Sequence, residues 1–107
     1  MDRVTTKKVI NELKRMKKSL GKYYDINLML LFGSRVRNEE LLTSDVDLIA
    51  VSKGFSKIPF RKRSDKFLDY WMLPVDLEVL CYSPEELKSK KKEIGLVREA
   101  LKQGIAI

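Results

Sequence analysis

Residues 26–32 read Ile-Asn-Leu-Met-Leu-Leu-Phe, and the run stops abruptly at Gly33-Ser34. Seven positions with one polar residue do not alternate, so this segment cannot be a strand with one wet face. It reads as a strand buried on both faces, the kind found where helices cover a sheet. Two further segments obey the same rule. Residues 46–51 form a second apolar strand led in by Ser44-Asp45, and residues 75–82 form a third opened by Pro74.

Helical patterns separate these strands. Val9, Ile10, Leu13, Met16 and Leu20 share one helix face after a Thr5 or Thr6 cap, and Gly21 is the stop. Lys7, Lys8, Lys14, Lys17 and Lys18 fall mainly on the other side, a solvated basic face. Residues 35–42 are polar with helical propensity and read as a short helix. Residues 52–59 are loop, and residues 60–72 read as a helix with Phe60, Phe67 and Trp71 at helix spacing. Ser83-Pro84-Glu85-Glu86 is a capping-box start. Gly95 breaks that helix, a last one covers residues 96–102, and residues 105–107 suit a short edge strand. The expectation is an α/β (α+β) domain: a small mixed sheet of three or more strands with helices packed on it. With 107 residues, residues 1–107 form a single domain. Residues 1–21 would be its N-terminal amphipathic helix, 26–82 its central strands and helices, and 83–107 its C-terminal helices.

Composition then narrows the chemistry. The chain has no histidine, which removes the usual general base and the usual zinc ligand. Cys81 is the lone cysteine, set in an apolar run, and reads as a core residue. Catalysis must therefore rest on carboxylates, lysines or a hard metal ion. No apolar run is long enough to span a bilayer and no signal-peptide pattern is present, so no membrane is involved and the cytoplasm is the default location. The net charge of +7 suits a polyanionic partner such as a nucleotide, nucleic acid or acidic protein, or a lysine-rich surface with none. Abundant Lys and Glu with a single Gln lean towards a heat-adapted source.

Asp45-Val46-Asp47 carries the strongest chemical signal. Residues two apart on a strand point to one side, so both carboxylates face together, about 6.5 Å apart at Cα by strand rise. Val46 and Leu48 face the core. A divalent cation relieves the repulsion, and Mg²⁺ prefers such hard oxygen ligands. On the third strand Asp76 and Glu78 share one face while Leu77 and Val79 share the other. If that strand pairs with the second, Asp76 comes beside Asp45 and Asp47. Three carboxylates so placed can hold two Mg²⁺ ions about 4 Å apart, clamping both oxygens of an in-line phosphoryl displacement. Gly33-Ser34, between a buried strand and a helix start, suits a phosphate cradle, with Arg35 and Arg37 as bidentate phosphate ligands.

Gly33-Ser34, ten residues, then Asp45-x-Asp47 resembles the signature of the DNA polymerase β-type nucleotidyltransferase superfamily. The strings LFGSRVRN, SDVDLIAVS and PVDLEVLCYSPEEL, and the tail VREALKQGIAI, are similar to the minimal nucleotidyltransferases of archaea and bacteria. The resemblance covers residues 26–107. It implies that Asp45 and Asp47 bind both metals. Asp76 would complete the second metal and help deprotonate the acceptor hydroxyl, while Gly33 and Ser34 would hold the triphosphate. Asn38 departs from the glycine relatives often carry there, and Glu78 has no assured role. The implied reaction transfers a nucleoside monophosphate, AMP from ATP or the equivalent from another NTP, to an acceptor hydroxyl and releases pyrophosphate.

Minimal nucleotidyltransferases also resemble the antitoxin of toxin–antitoxin pairs, whose partner is a helical HEPN toxin that can receive AMP on a tyrosine. The chain has no room for an acceptor-binding domain, so a partner protein in a hetero-oligomer, or a homodimer, is a second expectation. Neutralisation by binding with little or no catalysis is the alternative. A nucleic-acid-binding module ranks last, because the clustered acids would repel a phosphate backbone.

Overall fold

Helix α1 (Thr6–Leu20) begins where the Thr5 hydroxyl accepts the Lys8 N–H at 3.2 Å, satisfying one of the four orphan donors of the helix start. Val9, Leu13, Met16 and Leu20 line its buried face. Each such side chain contributes about 1.5–3 kcal/mol by leaving water. Glu12 is buried on the same helix, which is tolerable because its charge is met. Arg15 donates to its two oxygens at 2.7 and 2.8 Å, and the Met72 N–H at 2.9 Å. Arg15 also donates to the Tyr70 carbonyl at 2.7 Å, clamping α1 to the end of helix α2 (Asp65–Tyr70). The computed structural model describes residues 4–33, 35, 36, 45–93 and 95–107.

Strands β1 (Ile26–Phe32), β2 (Val46–Ser52), β3 (Leu77–Tyr82) and β4 (Ile105–Ala106) form one sheet in the order β3-β2-β1-β4. β1 is antiparallel to both β2 and β4, while β2 and β3 run parallel. The mixed, helix-covered sheet matches the expected class, and the C-terminal edge strand makes it four-stranded.

Both faces of β1 and β2 are covered, as the apolar run required. Met29, Leu31, Val46, Leu48 and Ala50 meet α1 together with Phe55 and Phe67. Leu30, Phe32, Ile49, Val51 and Tyr82 meet Val97 and Ala100 of helix α4 (Leu96–Gln103). Cys81 is buried in the first cluster, and burial pushes its thiol up to about 12, so it is an inert core residue.

Residues 60–72 depart from the single helix their spacing suggests. A 3₁₀ turn (Phe60–Lys62) precedes α2, which is only six residues long. Phe60 and Phe67 would share a helix face. Here Phe67 is fully buried while Phe60 is 51% exposed and leans on Tyr82, ring centroids 5.7 Å apart. The physical reason lies in Arg63. It stands in the basic run Arg61-Lys62-Arg63, yet it is 5% exposed. It donates to the Ile58 carbonyl at 2.8 Å, the Cys81 carbonyl at 3.0 Å and the Glu86 carboxylate at 2.6 and 3.2 Å. Those four bonds hold Arg63 in place between the 3₁₀ turn and α2. Arg61 and Lys62 do face solvent.

Glu86 belongs to the capping box of helix α3 (Pro84–Lys90). It accepts the Ser83 N–H at 2.8 Å while the Ser83 hydroxyl accepts the Glu86 N–H at 3.3 Å. Arg63 and that N–H hold the Glu86 carboxyl down at about 2. Trp71 donates its indole N–H to the Val75 carbonyl at 2.7 Å. Among the described residues no helix is long and apolar enough to cross a membrane.

Candidate active site

The carboxyl end of β1 meets the start of β2. Phe32 is the register partner of Asp47, so Gly33 turns away directly beside that acid. Gly33 has φ +84°, a left-handed conformation that side chains resist. A Cβ there would collide with Oδ2 of Asp47 and lie 3.3 Å from its Cγ. The missing side chain thus makes the space in which the Asp47 carboxylate lies against the turn.

The parallel pairing of β2 and β3 brings the other acids to the same end of the sheet. Val46 pairs with Leu77 and Asp47 with Glu78, and the Val46 N–H donates to the Asp76 carbonyl at 2.8 Å. Asp76 stands one residue before β3, and Asp45 one residue before β2. One step back from the Val46–Leu77 pair, Asp45 and Asp76 are level. Asp45, Asp76 and Glu78 are exposed and Asp47 is half-buried, while Val46, Leu48 and Leu77 are buried. The two-residue alternation therefore separates acid from core on both strands.

The two ranks differ in surroundings. Asp47 and Glu78 line a cleft of about 350 Å³ with Phe32, Leu68, Leu80 and Leu96. Asp76 and Glu78 line a wider one of about 600 Å³ with Trp71 and Leu68. Among the described residues no three Asp, Glu or Cys side chains are gathered to cage a metal ion. Mg²⁺ seldom needs such a cage, since it takes one or two carboxylates and completes its shell with water and substrate phosphate. The hard-oxygen donors at this sheet end fit that ion as the protein half of a shared site.

Arg35 is 2% exposed and donates to the Val4 carbonyl at 2.6 Å, which ties the residues after Gly33 to the approach of α1. Ser34 and Arg37, with Asn38 and most of the short helix expected over 35–42, lie outside the described residues. Glu78 is the residue whose position the sequence left open. Its signal was its place two along from Asp76, but only the register shows that it faces Asp47.

The mixed sheet thus carries acids at a strand start, against a glycine turn. The sequence matches the nucleotidyltransferase domain family over residues 7–107, and the chain belongs to that family. Its fold is similar to the crystal structure of a candidate nucleotidyltransferase from Sulfolobus solfataricus. The TM-score is 0.61 at 22% identity, covering 90% of this chain and 76% of that one. No curated protein matches the chain significantly.

Proposed function

We propose that the chain is a Mg²⁺-dependent nucleotidyltransferase that moves a nucleoside monophosphate from ATP or another NTP to an acceptor hydroxyl. The observation that carries this reading is the apposition of Gly33 and Asp47, with Asp45 and Asp76 level at the same sheet end. The Gly33 turn, with Ser34 and Arg37, would receive the triphosphate. Arg35 would act from beneath by fixing the turn to Val4. Asp45, Asp47 and Asp76 would hold two Mg²⁺ ions, which neutralise charge on the phosphates and polarise the phosphorus–oxygen bonds. The acceptor oxygen attacks the α-phosphorus, the bond to the bridging oxygen of the β-phosphate breaks, and pyrophosphate leaves. Asp76 would take the acceptor proton. Fixed position and charge complementarity supply the rate.

A second reading is a partner-binding subunit, such as an antitoxin against a HEPN-like toxin, in a hetero-oligomer or as a homodimer. The exposed Phe60, Leu68 and Leu96 favour it. Incubation with Mg²⁺, α-labelled ATP and co-purifying proteins separates the two. Label transfer abolished in Asp45→Asn and Asp47→Asn supports the enzyme. Tight partner binding without transfer, indifferent to both changes, supports the binding subunit.

A further inference from the structure

Beyond the acids, the sheet face that carries Glu78, Leu80 and Tyr82 is left partly open along β3. The cleft holding Asp47 and Glu78 shares Leu80 with a second one, about 430 Å³, lined by Phe60, Tyr82, Glu86 and Lys90. Together they form a groove running the length of β3, about 20 Å by strand rise. Its walls are apolar and wet. Phe60 is 51%, Leu68 48% and Leu96 58% exposed. Monomeric surfaces seldom leave such residues contiguous without a use.

We propose that this groove docks a polypeptide segment: an apolar stretch that begins beside Asp47 and carries acidic residues at its other end, beside Phe60 and Lys90. Three features select that occupant. The walls offer Ser64 as their one hydroxyl besides Tyr82, too few hydrogen-bonding groups for a sugar. The groove interior carries Asp47, Glu78 and Glu86 against a single Lys90, which repels a nucleic-acid backbone. At the Phe60 end the exposed Arg61, Lys62, Lys88, Lys90, Lys91 and Lys92 outnumber Glu85 and Glu93, the latter 3.7 Å from Lys90, so this end complements an acidic segment. That the docked segment presents the acceptor hydroxyl rests on the nucleotidyl-transfer reading, whereas docking itself does not.

The test is selection of a random dodecapeptide library, displayed on phage, against the immobilised full chain without nucleotide or metal. Enriched peptides should combine Leu, Phe, Tyr or Met with Asp or Glu. Their binding, read by fluorescence polarisation, should weaken at least tenfold in Phe60→Asp and in Leu96→Asp. Both side chains are more than half exposed, so neither change removes core, and an unchanged circular dichroism melt confirms it. Absence of enrichment, or peptides that bind both variants as well as the wild type, overturns the proposal. So does a dT20 oligonucleotide whose binding these two substitutions weaken equally. Failure of the transfer reading shows separately, as absent Asp47-dependent ATP turnover with peptide binding intact.

Discussion

Replacing Gly33 by alanine perturbs the candidate site through two separable effects. The residue sits at φ +84°, where an L side chain is strained by roughly 1–2 kcal/mol. For a domain near this size that lowers Tm by roughly 4–16 °C, at about 4–8 °C per kcal/mol. The second effect is local, because the new methyl overlaps Oδ2 of Asp47 and the carboxylate must swing aside. A displacement on the order of 1 Å at a reacting centre lowers rate about 100-fold. Gly33→Ala should therefore fold, melt lower and lose about two orders of magnitude in Mg²⁺-dependent transfer from α-labelled ATP. A stability cycle with Asp47→Ala tests the cause. Removing the carboxylate deletes the overlap but not the backbone strain, so the double variant should recover roughly 0.5–3 kcal/mol relative to additivity. Transfer within threefold of wild type, or strict additivity, would refute the reasoning.

Other outcomes follow from the packing. Arg63→Ala should lower urea stability by about 2–3 kcal/mol, less than the about 3–5 of a fully buried pair because Glu86 keeps contact with water. Glu86 has a folded-state carboxyl at about 2 against an ordinary 4.5, so its contribution is complete above pH 4.5 and fades as pH falls towards 2. Melts from pH 7 down to pH 2 should show Glu86→Gln less stable at the top and converging with wild type at the bottom. A constant gap would be the contrary result. Cys81, with its thiol at about 12, should resist Ellman's reagent in the native chain and react fully in 6 M guanidinium, and prompt native labelling would contradict its burial. Leu13→Ala, at a fully buried position, should lose about 2–5 kcal/mol in chemical denaturation.

What could be read from the residues were the features set by local pattern. The β1 run, the Thr5 cap and the Ser83 capping box depend on neighbours within a few positions, and each appears as its pattern suggests. Features set by distant partners could not be read. Arg63 looks like one more surface cation until carbonyls at Ile58 and Cys81 meet it. Phe60 and Phe67 match a helix repeat, yet tertiary contacts send them to opposite environments. At the site, alternation predicted that acids would share a face. Only the β2–β3 register decides that Asp47 looks at Glu78 while Asp76 stands level with Asp45. Arg35 was legible as a cation after a phosphate-type turn, but its bond to Val4 spans 31 positions and no local rule contains it.

The position of β4 governs how the sheet can assemble. β1 is hydrogen-bonded on one side to β2, which follows soon after it, and on the other to Leu30 and Leu31 partners at Ala106 and Ile105. That second edge stays unpaired until residues 105 and 106 have been synthesised, and the α4 side chains that cover Leu30 and Phe32 arrive only shortly before them. Long-range pairing of this kind slows folding. A ribosome-bound chain that stops before residue 96 should therefore expose the β1 edge to chaperones, and pulsed hydrogen exchange should find the β1–β4 amides protected after those of β1–β2.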